Sequence, residues 1–150
     1  AVCGKASILG LAEEIRGRQV CLELYQQCLK PLIDSGLIRL VLKPENTEWN
    51  VQTLVMELLS TSKSCAEVQH HARMQGIEMG GTAQAWAGTE AYPEYSHADF
   101  PIAVRAEKRT LSLPMYKGLK PQQVQEVCSV LSAPLIESST TTETLKSMCP

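Results

Sequence analysis

The segment from residue 37 to residue 59 decides the fold class, and it reads LIRLVLKPENTEWNVQTLVMELL. Leu37–Lys43 and Asn50–Leu59 are rich in leucine, valine and isoleucine, residues that pack well on a strand surface. Pro44-Glu45-Asn46-Thr47 is a turn-forming stretch between them. Two apolar runs joined by such a turn predict a hairpin of adjacent antiparallel strands.

A long helix is predicted ahead of this hairpin. From Ile8 to Ile33 apolar side chains recur at helical spacing, which is typical of an amphipathic helix with one buried stripe. The stripe consists of Ile8, Leu11, Ile15, Leu22, Tyr25, Leu29 and Leu32. Arg18 interrupts this stripe. Pro31 cannot continue the helical hydrogen bonds and Ser35-Gly36 suits a left-handed cap, so we expect the helix to end near there.

Three shorter helices are predicted after the hairpin. Ser64–Glu67 forms a capping box, and Gly76 suits the end of the helix that it begins. Ser96–Asp99 resembles a second capping box, followed by a helix that reaches Lys108-Arg109. Pro121 suits the first turn of the last helix. The apolar positions are Ile102, Ala103, Ala106 and Leu111 for the second helix, and Val124, Val127, Cys128 and Leu131 for the third.

The predicted fold class is α+β, a small and mostly antiparallel sheet packed with the long N-terminal helix and three shorter helices. Ile77–Met79 is a candidate third strand, and Leu111–Leu119 gives a short extended piece followed by a turn. Residues 1–136 form one domain. Residues 137–150 include a run of serine and threonine that cannot bury enough apolar surface, so they predict a polar, disordered tail.

Charge and composition exclude several classes of partner. The formal net charge is -2 and no run of Lys or Arg exceeds two residues, which argues against binding to nucleic acid or to an anionic membrane. The apolar stretches are too short to span a bilayer. Cys21 and Cys28 lie seven positions apart on one helix, roughly 10 Å, too far for a disulfide. None of the six cysteines forms a CxxC pair, so we expect reduced thiols and a cytoplasmic protein.

Few residues indicate chemistry of their own. Cys65, His70 and His71 share one helix, but their spacing fits no standard zinc site, which needs about four converging ligands. Neither Cys65 nor Cys128 lies in a setting designed to lower the pKa of a thiol. Gly80-Gly81 lacks the spacing of a phosphate-binding loop. We therefore predict no metal ligand and no catalytic residue. An enzyme of unrelated chemistry that uses Cys65, His70 or His71 is the lowest-ranked alternative.

Gly80–Tyr95 is predicted to be a long loop, because it has no regular apolar period. Loops of this length are uncommon in compact domains and are often functional. Trp86, Tyr92 and Tyr95 are therefore candidate substrate-binding residues. The alternative is that these aromatic side chains anchor the loop to the core.

The C-terminal half of the sequence resembles a known family. Asp99-Phe100-Pro101-Ile102-Ala103, followed by Arg109–Leu119 with the sequence RTLSLPMYKGL, is similar to the end of DegT-type aminotransferases, where an FP or CP step leads to LSLPMYPGL. Gln123–Val127 matches the Q-V-x-x-V pattern of the final helix of that family. Weaker similarities follow the same order upstream, at Ile8–Ala12, Trp49-Asn50 and Gly76–Gly80.

The resemblance implies pyridoxal phosphate chemistry on keto-sugar nucleotides, carried out by a larger protein. In the family a lysine of the large domain forms the imine with the cofactor, and that domain would precede Ala1. Lys5 is not its equivalent. The N-x-R-M motif, which approaches the cofactor phosphate across a dimer interface, has no recognisable counterpart. Lys117 and Lys120 replace a proline and a Ser or Thr cap, and the loss of the cap weakens the helix start by roughly 1 kcal/mol.

We therefore expect an isolated or truncated small domain of a pyridoxal-phosphate-dependent sugar-nucleotide aminotransferase, inactive alone and without cofactor of its own. A protein partner or a second copy of the chain, as in a dimer, would contact the long N-terminal helix. The alternative is a non-catalytic interaction module that docks on a full-length aminotransferase subunit through the apolar stripe of that helix.

Overall fold

The computed structural model describes residues 2–60, 62–82, 84–87 and 89–147, and the side chains of residues 8–136 among them. The helices are α1 (Val2–Cys28), α2 (Lys30–Asp34), α3 (Cys65–Met74), α4 (Pro101–Arg109) and α5 (Pro121–Ser147), with a 3-10 turn at His97–Asp99. The strands are β1 (Ile38–Val41), β2 (Leu54–Leu58), β3 (Gly80–Gly81) and β4 (Thr110–Leu113). The predicted α+β class is confirmed.

The described strands form one antiparallel sheet in the order β1-β2-β4-β3. The predicted hairpin is confirmed, because Ile38 pairs with Leu58 and Val41 with Val55. β4 lies between β2 and β3, so the short extended piece predicted within 111–119 is a central strand, at Thr110–Leu113. A strand that far along the chain from its neighbours cannot be placed by local pattern, since its pairing is set by tertiary contacts.

The third strand was predicted a few residues too early in the sequence. Ile77–Met79 forms no strand, and the strand β3 is the glycine pair that follows it. Gly80 lies opposite Ser112, whose Oγ donates to the Gly80 carbonyl at 3.2 Å. A Cβ on Gly80 would lie 2.7 Å from that Oγ, so a side chain here would force the Ser112 hydroxyl to move from this position.

The long N-terminal helix is interrupted, contrary to the prediction of one helix from Ile8 to Ile33. α1 ends at Cys28 and α2 begins at Lys30, because Pro31 has no N–H to donate to the preceding turn. Gly36 then caps α2 at a φ of 71°, with the N–H of Leu37 donating to the Leu32 carbonyl at 3.0 Å. The predicted end of the helical segment is therefore confirmed.

The core lies on one face of the sheet. Alternate strand residues, such as Leu54 and Met56 on β2, meet side chains of α1, α3 and α5 there. The predicted inner face of α5 is confirmed, since Val124, Val127, Cys128 and Leu131 are all buried. The backbone of α5 continues as helix past residue 136. The side chains from 137 onward lie outside the described residues, so the domain limit and the polar tail stay predictions.

Helix α4 covers the other face of the sheet and has no buried residue. The apolar face predicted for it is wrong: Ile102 is 83% exposed, and Leu111 belongs to β4.

The capping box at Ser64–Glu67 is confirmed by hydrogen bonds in both directions. At Ser96 the backbone N–H and the hydroxyl both donate to Asp99 at 2.8 Å, but they begin the 3-10 turn rather than α4.

Candidate functional site

The three candidate aromatic residues lie on the surface of the loop that leads to α4. Trp86 is 65% exposed and stacks on Tyr92, with ring centroids 5.5 Å apart and planes inclined by 15°. Tyr95 does not join this stack and packs edge-on against Phe100, at 5.6 Å. Ala85 and Ala87 are the buried residues here, so Trp86 is not a core anchor. The role of these side chains in binding a substrate stays a prediction.

Successive four-residue turns position these rings. The N–H of Thr89 donates to the Trp86 carbonyl, that of Tyr92 to Thr89 and that of Tyr95 to Tyr92, at 3.1 to 3.3 Å. Each of these hydrogen bonds brings two residues three positions apart close together. After these turns, the backbone and side-chain hydrogen bonds from Ser96 hold the pKa of the Asp99 carboxyl below its usual value. The arrangement offers an exposed aromatic platform, suited to packing against a sugar ring or a nucleobase.

A buried carboxylate on the polar face of the sheet was missed by the sequence reasoning. Glu57 on β2 is 6% exposed and pairs with the guanidinium groups of Arg39 on β1 and Arg105 on α4. Two Arg105 nitrogens donate to one Glu57 oxygen, at 2.8 and 3.2 Å. Burial alone would raise the pKa of Glu57, but the hydrogen bonds and charges of both arginines outweigh it and lower that pKa.

This triad fastens α4 across the sheet, and its guanidinium groups remain accessible to solvent. The hairpin register places Arg39 opposite Glu57, so the strand pattern could have revealed that pair. The pairing of Arg105 with Glu57 depends on how α4 crosses the sheet. The local sequence does not predict that crossing.

A groove of about 920 Å³ runs between α1 and the loop that joins β1 to β2. Gln19 and Glu23 line it from the helix, and Trp49 and Asn50 from the loop. Val51, which is buried at its base, has a φ of 50°, a left-handed conformation that is rare for a β-branched residue. The sequence reasoning noticed Trp49-Asn50 only as part of a family similarity.

The cysteine and histidine candidates form no reactive site in the described residues. Burial raises the pKa of the half-buried Cys65 thiol, although the nearby Arg109 charge partly opposes this. No group of His, Cys, Asp or Glu that could hold a metal occurs among the described residues. Cys21, Cys28, Cys65 and Cys128 are free thiols, while the side chains of Cys3 and Cys149 lie outside the described residues.

The described residues do not fit pyridoxal phosphate. A lysine that forms an imine needs a desolvated pocket with partners for the ring nitrogen and the phosphate. Five lysines are exposed and Lys63 is only half-buried; the exposed ones are Lys30, Lys43, Lys108, Lys117 and Lys120. The side chains of Lys5 and Lys146 lie outside the described residues. No cofactor chemistry can therefore be assigned to a residue that the structure describes.

Several solved structures share this fold. The Streptococcus pneumoniae protein Spr1654, assigned as a sugar aminotransferase and solved in its PMP-form, matches with a TM-score of 0.80 and 14% identity over 93% of this chain and 35% of its own. TlmJ, an aminotransferase of Streptoalloteichus hindustanus, matches with a TM-score of 0.78 and 20% identity over 89% and 35%.

The fold is shared with an enzyme of different chemistry as well. The E. coli GDP-4-keto-6-deoxy-D-mannose-3-dehydratase with bound hydrated PLP has a TM-score of 0.70 and 15% identity, over 85% of this chain and 33% of its own. This chain spans about a third of the length of each of these structures. A comparison with curated proteins finds no match.

Two further observations concern membrane crossing and family membership. Among the described residues, no helix combines the length and the apolar character that a membrane crossing requires. The model of the DegT/DnrJ/EryC1/StrS aminotransferase family matches residues 1–132, which is most of the sequence. The chain therefore belongs to the DegT/DnrJ/EryC1/StrS aminotransferase family.

Proposed function

We propose that this chain is the C-terminal small domain of a pyridoxal-phosphate-dependent sugar-nucleotide aminotransferase and is inactive without a cofactor-binding domain. The main support is the match of 93% of this chain to only 35% of Spr1654, at a TM-score of 0.80. The LSLPMYKGL stretch supports the C-terminal position, because the family ends on a similar string. The exposure of the described lysines supports a cofactor site held elsewhere.

In this proposal the residues of the chain shape a substrate surface. Bound pyridoxal phosphate would supply the electron sink for amino transfer, from a site outside the described residues. Trp86 and Tyr92 present stacked, exposed rings that can cover one face of a sugar nucleotide and exclude water from it. The free thiols of the described cysteines favour a reducing compartment, and we place the protein in the cytoplasm.

Reduction with borohydride tests the cofactor part of the proposal. The purified chain is incubated with pyridoxal phosphate, reduced, and digested for mass spectrometry. We expect only weak, scattered labelling of exposed lysines. A stoichiometric adduct on a single lysine, competed away by pyridoxamine phosphate, would show that the chain holds the cofactor itself and would contradict the proposal.

The substrate surface is tested by fluorescence. We expect a sugar nucleotide to quench the emission of Trp86, measured in a Trp49→Phe variant so that only one tryptophan reports. Tyr92→Ala should weaken this quenching several-fold. Tyr116→Ala, which changes an exposed tyrosine outside the aromatic platform, is the matched control. Equal quenching in both variants would remove Trp86 and Tyr92 from the binding surface.

One observation favours a second function, an interaction module. The N-terminal half of α1 exposes Ile8 and Leu9, at 72% and 78%, and Leu11 beside them. An apolar face of this kind is typical of a surface that another chain covers. The partner is a full-length aminotransferase subunit or a second copy of this chain in a dimer.

Light scattering separates these possibilities. A monomeric chain that binds an added aminotransferase subunit would favour the interaction module, whereas a dimer that Leu9→Ser dissociates would favour self-association. A monomer that binds neither itself nor a subunit would contradict both. Leu42→Ser, at an exposed leucine on the hairpin, is the control for a general loss of apolar surface.

A further inference from the structure

Helix α4 is attached to the sheet at two points. Its C-terminal end continues directly into β4 at Thr110. One turn before that end, Arg105 donates two hydrogen bonds to Glu57 on β2, at 2.8 and 3.2 Å. No other α4 side chain within the described residues has a hydrogen bond or an ion pair to the sheet. Since no residue of α4 is buried, the direction of the helix over the sheet depends largely on Arg105.

The start of α4 is coupled to the ring of Tyr92. The N–H of Val104 donates to the Phe100 carbonyl at 3.1 Å. The Phe100 ring packs edge-on against the ring of Tyr95, with centroids 5.6 Å apart. The N–H of Tyr95 in turn donates to the Tyr92 carbonyl at 3.3 Å. A change in the direction of α4 therefore displaces Tyr92 as well.

The Trp86 side of the aromatic stack is attached elsewhere. The chain reaches Trp86 from β3, where Gly81 pairs with β4. Just after β3, the hydroxyl groups of Thr82 and Thr110 form a hydrogen bond. The Thr110 hydroxyl itself donates to the Ala106 carbonyl at 2.6 Å, so Thr82 is the donor in that bond. The two rings of the stack are thus held by different segments of the chain.

These two attachments meet at one position of the sheet. Glu57 on β2 lies directly opposite Thr110 on β4, and both residues are buried. Thr110 holds the Trp86 side of the stack. Glu57 holds the Tyr92 side through Arg105. The pairing of β2 with β4 therefore fixes the two rings relative to each other as long as Arg105 keeps α4 in place.

We propose that Arg105 is the positioning residue of the Trp86–Tyr92 stack. By fixing α4 over Glu57, it keeps the Tyr92 ring within stacking distance of Trp86. Arg105 acts through α4 and the turns that precede it. The use of this stack in binding a sugar nucleotide rests on the proposed function, whereas the stacking itself needs no ligand.

The NMR signals of the Tyr92 ring test the proposal in the full chain with isotope-labelled tyrosine. In the wild type the ring of Trp86, 5.5 Å away, shifts these signals, and Trp86→Ala defines their position without the stack. We expect Arg105→Gln to remove most of the shift. Arg39→Gln is the matched control and should keep it. The side chain of Arg39 is exposed to the same 62% and pairs with the same carboxylate, but it joins β1 to β2.

Two outcomes would overturn the assignment. One is a full ring shift in Arg105→Gln. The other is an equal loss of the shift in Arg39→Gln, because the effect would then come from a general disturbance around Glu57. Both guanidinium groups are exposed, so each substitution should cost little global stability and leave the chain folded. If Arg105→Gln does not fold, Arg105→Met, which keeps the aliphatic stem, is judged by the same outcomes. Failure of both to fold would show that Arg105 supports the whole domain, which also contradicts the proposal.

A titration with a sugar nucleotide separates this inference from the proposed function. In the Trp49→Phe background, we expect Arg105→Gln to weaken the quenching of Trp86 several-fold and Arg39→Gln to leave it unchanged. Quenching that is unaffected by Arg105→Gln, although the ring shift is lost, would contradict the use of the stack in binding. No quenching in the wild type would contradict the proposed function, and the ring shift would still decide the role of Arg105.

Discussion

The two halves of helix α1 have the same apolar spacing and opposite environments. In the C-terminal half Tyr25 is fully buried in the core, as is Leu29, which directly follows the helix. In the N-terminal half Ile8 and Leu9 are 72% and 78% exposed. A helical apolar stripe therefore shows which face of a helix can be buried, but it does not show how far along the helix the covering elements extend.

The largest expected effect is on the buried half. Leu29→Ala removes a fully buried side chain at the junction of α1 and α2, where the backbone hydrogen bond to Tyr25 limits collapse around the cavity. We expect the free energy of unfolding in urea to fall by about 2 to 5 kcal/mol. A loss below about 1 kcal/mol would mean that the two halves differ less in packing than their burial indicates.

A smaller loss is expected for Tyr25→Phe. The Tyr25 hydroxyl donates to the Pro114 carbonyl at 3.0 Å, and the variant leaves that carbonyl without this donor. We expect a loss of about 1 kcal/mol in the free energy of unfolding. Tyr116→Phe is the matched control, because Tyr116 is half-exposed. Equal effects of the two substitutions would contradict a structural role for the Tyr25 hydroxyl.

The same hydroxyl predicts a pH dependence. Burial, followed by the nearby Cys128, Cys21 and Tyr116 groups, raises the pKa of Tyr25 well above its usual value of 10.0. The folded protein therefore holds this proton more tightly than the unfolded chain. Stability is full below about pH 10 and falls as the pH rises above it. Denaturation series between pH 8 and 11 should show this loss in the wild type and less of it in Tyr25→Phe.

Gly17→Ala should stabilise the protein. Gly17 lies inside the exposed half of α1, and a Cβ there meets no atom of the described chain within 4 Å. Alanine lowers the entropy of the unfolded chain and favours the helix, so we expect a gain of about 0.5 to 1 kcal/mol in urea denaturation. A loss would indicate that the position is occupied by another part of the chain or by a second copy.

The smallest effect is expected for Leu9→Ala, the same substitution as at Leu29 but in the exposed half. We expect a change within about 0.5 kcal/mol for the monomeric chain, measured by the same denaturation. A loss that grows with protein concentration would instead show that the exposed half of α1 is buried between copies.

Local chemistry made several features predictable. The capping box at Ser64–Glu67 needs only four consecutive residues, and the β1–β2 hairpin only two apolar runs and a turn. The capping box is found as predicted, and the two strands pair as predicted, although β2 begins at Leu54 rather than at Asn50. The Pro31 break was underestimated, since the apolar stripe continues past it although the backbone hydrogen bonds do not.

Other features depend on partners far along the chain. Glu57 is stabilised by Arg105, 48 positions later, and Gly80 forms a strand only because Ser112 lies opposite it. The predicted aromatic site depends on both local composition and tertiary structure. Composition identified Trp86 and Tyr92, but the stack between them, and the separation of Tyr95 from it, follow from the path of the loop.

By itself the sequence determined the α+β class, the hairpin, the helix caps and the family similarity, because each depends on residues close together in the chain or on a short characteristic string. Only the tertiary structure decided which half of α1 is buried, that β4 lies inside the sheet, and that Glu57 pairs with Arg105. Those properties depend on contacts between distant segments, whose geometry is set by packing rather than by local pattern.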